Sequence, residues 1–327
     1  MARNSSVRGT KSYEVGVRTG GLKAFFSGER GRTLATAAGW AIGAGVGLIL
    51  YAKIEARRFK LEHLRVTTCG GSANADDEHA PPIRLRVLHL SDLHLCKPEQ
   101  SKVEFVRAVT DDDYDLIVFT GDIFENYTGI EYASSLITRK PRLGAYAVLG
   151  NHDYYNYTWF NKIIGRMNRK FRHPPGKRDV QPFINALSDA GITVLRNSAI
   201  TIPDERLHLI GIDYPGISQE QLYELSGQAP EGFLIMSLLH LPRRLNQLPA
   251  AGVHMAFAGH THGGQVRLPG FGALITDSEL PRSEASGLVN RGHTVIHVSR
   301  GLGADPKTNY RIFCPPAATV VEIEHQP

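Results

Sequence analysis

Five short clusters of Asp, Asn and His each close an apolar run, and they constrain the fold more than any other feature of the chain. They are Ser91-Asp92-Leu93-His94, Gly121-Asp122, Gly150-Asn151-His152-Asp153, His240 and Gly259-His260-Thr261-His262. The runs before them are Leu85–Leu90, Leu116–Thr120, Ala145–Leu149, Phe233–Leu239 and Met255–Ala258. All have the length and apolar character of buried strands. Open α/β sheets gather their ligand sites at the C-terminal ends of strands, so this pattern predicts that all five clusters meet. Singly, each has an ordinary explanation: Gly-Asp and Asn-His-Asp are common turns, and a lone His after a strand is more often a satisfied core residue. Recurrence at five strand ends favours a shared site.

The donors are oxygen and imidazole nitrogen, which suit divalent Mn, Fe, Zn or Mg better than thiophilic metals. Enough of them are present for two ions sharing one carboxylate, an arrangement that clamps both the attacking and the leaving oxygen of a phosphoryl displacement. A water between two such cations becomes acidic near neutral pH. The leaving alkoxide still needs a proton, which a histidine with a pKa of about 6.5 can supply. No Ser-centred nucleophile elbow occurs, and none of Cys69, Cys96 and Cys314 forms a C-x-x-C pair, so covalent catalysis has little support.

The order D-x-H, G-D, G-N-H-D, H, G-H-x-H resembles the calcineurin-like metallophosphoesterase superfamily from about Arg84 to Glu324. That resemblance implies an α/β fold of two packed mixed β-sheets flanked by helices. It implies one metal on Asp92, His94 and His262, a second on Asn151, His240 and His260, and Asp122 bridging them. His152 would protonate the leaving oxygen, oriented by Glu125 or Asp153. Mn is the first expectation for both ions, with Fe, Zn or Mg as alternatives. Gly263-Gly264-Gln265, Ser299–Gly303 and Pro315-Pro316 are similar to the membrane-anchored bacterial branch related to UDP-2,3-diacylglucosamine pyrophosphatases. The expected activity is therefore hydrolysis of a phosphodiester or pyrophosphate bond in a lipid-linked, UDP-2,3-diacylglucosamine-like substrate. A tethered phosphatase or phosphodiesterase acting on a soluble substrate is the alternative. The Ser/Thr phosphatase pattern is missing, since Gly121–Asn126 reads GDIFEN and Asp153 stands where Glu would. A non-catalytic scaffold would have lost ligands, and none is lost. Arg243-Arg244 after His240 could contact phosphate or lie solvated.

Leu34–Ala52 carries no charge and is close to the roughly 20 apolar residues that span a bilayer. It reads as a single-pass, uncleaved anchor. A buried helix lacks a flanking domain to bury it, and a signal peptide lacks a small-x-small site. Residues 1–33 are basic and expected to be disordered. Lys53, Arg57, Arg58, Lys60 and Arg65 follow the span, against Arg18, Lys23, Arg30 and Arg32 before it, which leans toward a cytoplasmic catalytic body. Lys53–Arg65 reads as a basic helix or stalk at the lipid surface and Thr67–Pro82 as a linker, so that 53–82 joins the anchor to a catalytic domain at 83–327. The chain's net charge is +5. Its basic residues flank the apolar segment without forming a groove signature, so the expected partners are the bilayer and a phosphorylated substrate, with no nucleic acid. Helices are expected over Ser101–Thr110, Tyr132–Arg139 and Val180–Ala190. Strands are expected over Thr193–Asn197, Leu207–Ile212, His293–Ser299 and Thr319–Ile323. Tyr154–Arg178, basic and aromatic, reads either as an interfacial helix or as one packed on the domain.

Overall fold

A computed structural model describes residues 29–70, 81–158, 174–276, 278–304 and 309–327. Most of the basic aromatic stretch (159–173), the N-terminal 28 residues and linker positions 71–80 lie outside the described residues. Two compact units divide after Leu50. In the first, helix α1 (Glu29–Glu55, its last turn in the second unit) leaves Trp40, Ile42, Ile49 and Leu50 exposed. Its Thr36–Glu55 stretch has a mean hydropathy of 1.5 and is long and apolar enough to cross a membrane.

The second unit begins at Tyr51. It runs β1 (Lys60–Cys69), β2 (Ile83–Leu90), α2 (Gln100–Val109), β3 (Leu116–Thr120), β4 (Ala145–Val148), α3 (Asn151–Tyr154), β5 (Tyr155–Asn156), β6 (Gly176–Lys177), α4 (Gln181–Asp189) and β7 (Ile192–Val194). It continues with β8 (Ser198–Ile202), β9 (Leu207–Ile212), α5 (Gln219–Ser226), β10 (Leu234–Leu239), α6 (Gln247–Ala250), β11 (Met255–Ala258), β12 (Arg267–Leu268), β13 (Gly272–Ala273), β14 (Gly287–Arg291), β15 (Thr294–Val298) and β16 (Ala317–Gln326).

Two six-stranded sheets result, in the orders β1-β16-β2-β3-β4-β7 and β14-β15-β11-β10-β9-β8. The inner strands β2-β3-β4 and β9-β10-β11-β15 are parallel, so their C-terminal ends open toward one end of each sheet. Strand alternation explains the layering. In β3, Leu116 and Val118 face the second sheet and pack with Met236, Leu238 and Phe257. Ile117 and Phe119 point the other way, onto Val106, Phe183 and Leu187 of α2 and α4. Leu222 of α5 and Leu248 of α6 cover the far face of the second sheet. The fold is thus the expected α/β arrangement of two packed mixed sheets flanked by helices.

Two expectations are corrected. The helix does not run on through Lys53–Arg65: it ends at Glu55, and Lys60–Cys69 forms β1, parallel to β16 from Lys60↔Ala317 to Cys69↔Gln326. Val66 and Thr68 are buried while Lys60, His63 and Arg65 point outward. Of the basic residues that suggested a membrane-surface helix, Lys60 and Arg65 are exposed positions of an edge strand, where charge also guards against edge-to-edge pairing. Tyr132–Arg139 is not an α-helix either. A 3₁₀ segment spans Tyr127–Ser135, started by Asn126, whose side chain accepts from the Thr128 amide.

Candidate metal centre

All five clusters converge. Asp92 and His94 follow β2, Asp122 follows β3, Asn151 and His152 open α3 after β4, His240 follows β10, and His260 and His262 follow β11. Five of these residues hold left-handed backbone, at φ 51° for Asp92, 47° for His94, 51° for Asp122, 72° for His260 and 50° for His262. That region is unfavourable for residues with a Cβ and is tolerated where surrounding structure imposes it, as at functional sites. The motif glycines make room. A Cβ on Gly150 would lie 2.2 Å from Asp122 Oδ1, and one on Gly259 would lie 2.1 Å from Ser91 Oγ.

Asp122 sits at the middle. Its Oδ1 accepts from the His152 amide at 2.7 Å, which fixes the carboxylate. Its Oδ2 lies 3.7 Å from His94 Nε2 and 3.4 Å from His240 Nε2, facing two groups of donors at once. Around it, Asp92, His94, Asp122 and His262 converge on one side, and Asp122, His240 and His260 on the other. Asn151 Oδ1 joins the second group, 3.0 Å from His240 Nε2. Glu125 Oε2 is shared by His152 Nδ1 at 2.7 Å and His94 Nδ1 at 3.2 Å.

The donor set fits divalent cations. In His94, His240 and His262 the outer nitrogen is already engaged: Nδ1 meets Glu125 in the first, Thr120 O at 2.7 Å in the second and Gly303 O at 3.2 Å in the third. Each Nε2 is therefore turned to the centre, the arrangement by which outer partners orient metal-binding imidazoles. Asp92 and Asp122 are buried, and their ion-pair partners among the described residues are histidines alone. Buried carboxylates of this kind call for a cation. Without a bound ion, the surrounding histidines supply that positive charge. Burial works against charge throughout, yet His240 and His152 hold Asp122 well below the ordinary carboxylate range. Asp122 in turn draws His240 up to about 9 against burial. Burial, and the charge of His94, keep His262 well below the usual imidazole value. Burial also lowers His152, opposed by Asp122 and Glu125.

Asp153, the second expected partner of His152, does not touch it. Its carboxylate accepts from the Gly150 and Phe124 amides at 2.8 and 2.9 Å and ties the loops after β3 and β4 together. Burial and the nearby Asp122 charge raise it to about 7. Of the two expected partners, Glu125 is the one that meets the His152 ring.

Two supporting features escaped the sequence reading. Arg311 is fully buried and donates to the carbonyls of His262, Arg300, Gly301, Gly303 and Cys314. It thereby fixes both the His262 backbone and the carbonyl that holds the His262 ring. An arginine in a polar loop normally reads as solvated, so nothing flagged it. The other is a buried relay: His297 Nδ1 to His89 Nδ1 at 2.7 Å, His89 Nε2 to Thr120 Oγ1 at 2.8 Å, Thr120 Oγ1 to Ser91 Oγ at 2.7 Å and Ser91 Oγ to Asp92 Oδ2 at 2.6 Å. Histidines inside apolar strands were the available signal.

Strand ends of two packed sheets converging on buried carboxylates and imidazoles define a metallophosphoesterase. Residues 85–264, more than half of the chain, match the calcineurin-like phosphoesterase family, and the chain belongs to it. It is 27% identical over 304 residues to phosphodiesterase YaeI of Escherichia coli (strain K12), covering 88% of this chain and 96% of that protein. It is 25% identical over 282 residues to the UDP-2,3-diacylglucosamine pyrophosphatase LpxG of Chlamydia muridarum, covering 74% and 84%. It is 30% identical over 249 residues to a transmembrane protein with metallophosphoesterase domain from Danio rerio, covering 67% and 48%. The chain is a metal-dependent phosphoesterase with, among the described residues, one candidate membrane helix.

Proposed function

We propose that the chain is a membrane-tethered, two-metal phosphohydrolase cleaving a phosphodiester or pyrophosphate bond in a lipid-linked substrate. The observation that carries the two-metal reading is Asp122 Oδ2, which faces His94 and His240 from between the two donor groups at 3.7 and 3.4 Å. Asp92, His94 and His262 would hold one ion, Asn151, His240 and His260 the other, and Asp122 both. Mn fits these oxygen and imidazole donors, as do Fe, Zn and Mg. When bound, the ions would polarise the phosphoryl group and offset its charge.

The chain's own residues do the rest. Asp92, Asp122 and His240 are almost sealed from solvent, whereas His260 and His262 are partly open, so the phosphate arrives from the imidazole side. A cleft of about 150 Å³ there is lined by Asn151, Tyr157, Tyr214, Arg243 and His260. It matches a phosphate and its immediate substituents, with the guanidinium of Arg243 as an anion contact. His152 moves the proton. Glu125 fixes its Nδ1, which leaves Nε2 to donate to the leaving oxygen, and its charge offsets part of the burial that disfavours the imidazolium.

The similarity to LpxG supports a lipid-linked pyrophosphate substrate, and α1 supports tethering. Exposed Lys53, Arg57 and Arg58 after the span favour the cytoplasmic face. The test is a product assay with added Mn on a UDP-diacylglucosamine-type lipid, an aryl phosphodiester and an aryl monoester. Preferred turnover of the lipid supports the proposal. Preferred turnover of the monoester sinks the substrate assignment.

A further inference from the structure

Directly after His262 the chain builds an exposed apolar ledge for which the hydrolytic site has no use. The β12–β13 hairpin carries Leu268, Phe271, Leu274 and Ile275 into solvent, with Phe271 81% exposed at its tip. Beside it runs the loop 309–313, joined to it by Arg267 N to Ile312 O at 2.9 Å and Ile312 N to Gln265 O at 3.0 Å. That loop adds Tyr310 and Phe313 to the same surface. Phe313 is 52% exposed and held at φ 49°. A bulky residue in left-handed backbone is a steric outlier, and this one points an aromatic ring outward.

The same loop meets the place where the chain leaves the apolar segment. Tyr51 packs on Phe313 with ring centroids 5.4 Å apart, and the Arg311 amide donates to Ala52 O at 2.9 Å. Ala52 is buried there, while Lys53, Arg57 and Arg58 stand exposed immediately afterwards. A helix that crosses a bilayer ends in the headgroup layer, marked by aromatic and basic residues. Whatever packs on Tyr51 and Ala52 is then within reach of that layer.

Resting on the reading of α1 as a membrane span, we infer that the β12–β13 hairpin and the loop 309–313 form a lipid-binding surface that seats the metal centre at the headgroups. Apolar side chains from the hairpin tip enter the acyl boundary, and the adjoining basic residues meet anionic headgroups. The occupant is the bilayer rather than a protein. The six apolar side chains are spread over two short hydrogen-bonded loops, one of which packs on Tyr51 and Ala52, and exposed Lys53, Arg57 and Arg58 follow those residues in the chain. Because Gly263–Val266 link His262 directly to the hairpin, the surface fixes the height of the metal centre above the lipid. A lipid-linked phosphate reaches the ions while its acyl chains stay in the membrane.

The test is depth-dependent quenching on the full chain. Cys69 and Cys96 are replaced by Ser, the buried Cys314 is left in place, and one accessible cysteine at a time is introduced as Phe271→Cys, Ile42→Cys or Glu231→Cys. Each is labelled with an environment-sensitive fluorophore and reconstituted into phosphatidylethanolamine–phosphatidylglycerol vesicles with or without a nitroxide-bearing lipid. Glu231 is exposed on the turn entering β10, at the end of the strands away from the ligands. Thermal transitions matching the unlabelled chain establish that each variant is folded. The expected result is a blue shift and loss of intensity at 271 and at 42, with no change at 231. Quenching at 42 with position 271 behaving like 231 overturns this inference alone. No quenching at either 42 or 271 overturns it together with the membrane-span reading.

Discussion

Replacing Arg311 with Ala tests how far the metal centre depends on a residue that touches no substrate. The side chain is fully buried and donates to five carbonyl oxygens, those of His262, Arg300, Gly301, Gly303 and Cys314. His262 O, Gly301 O and Gly303 O keep a second donor in the Gln265 amide, the Ala317 amide and His262 Nδ1, so Arg300 O and Cys314 O lose their partner. At about 1–3 kcal/mol for each, with about 2 kcal/mol for the lost packing of the buried stem, the gross cost is about 4–8 kcal/mol. Water entering the vacated space and relaxation of the loop recover part of this, leaving a net loss of about 3–5 kcal/mol. For a domain of this size each kcal/mol lowers Tm by roughly 2–4 °C, so calorimetry should record a fall of about 6–20 °C. Metal affinity should drop as well, by about 10–100-fold, because the carbonyl of Gly303 that holds the His262 ring is no longer fixed by Arg311. Arg311→Lys keeps the charge but cannot reach all five carbonyls, and should lie between wild type and Arg311→Ala. An Arg311→Ala protein within about 2 °C of wild type and with unchanged metal titration would refute the reasoning, since such a shift is worth less than about 1 kcal/mol.

Three further outcomes follow from the geometry. His152→Ala should lower turnover by about 10²–10⁴-fold on substrates with poor leaving groups and far less on aryl esters, with metal content unchanged; steady-state kinetics across a leaving-group series checks it, and a uniform loss would contradict proton donation. Gly150→Ala pushes a methyl toward Asp122 Oδ1, 2.2 Å from its ideal position, and should weaken metal binding in a folded protein; isothermal titration reads it, and unchanged affinity would mean the loop absorbs the methyl. Burial keeps His297 neutral down to about 3 and holds His89 well below the imidazole range, the neighbouring His297 adding to the effect. Their unfolded forms protonate below about 6.5, so stability is full above that value and declines as pH falls toward the folded pKa. At pH 5 each fully buried neutral histidine should forfeit about 2 kcal/mol, and urea melts showing equal stability at pH 7 and pH 5 would exclude this.

The convergence of the candidate ligands was legible in the sequence because each sits where an apolar strand stops, and the chain can place a polar donor only where its backbone leaves the core. Strands such as Leu207–Ile212 and Met255–Ala258 were equally plain, as short apolar runs closed by turn residues. β1 was hidden because an edge strand buries one face only, and its Lys, Glu and Arg residues read as a stalk until β16 is known to need a partner. The choice between Glu125 and Asp153 depended on which carboxylate the loops after β3 and β4 turn inward, a tertiary fact. Arg311 was invisible for the same reason: its partners are carbonyls from three separate loops, and carbonyls leave no mark in a sequence.

The claim that one carboxylate joins two metal ions is tested most directly by counting ions in the wild type and in Asp122→Asn. The protein is stripped with chelator, its metal-free state verified, and Mn titrated calorimetrically under identical conditions. The wild type should take up about two ions per chain, the number set by a shared bridging ligand. Asp122→Asn should weaken both binding steps, since its Oδ2 faces His94 and His240 alike. One ion per chain in the wild type, or a variant that loses one step while the other stays intact, would contradict the account.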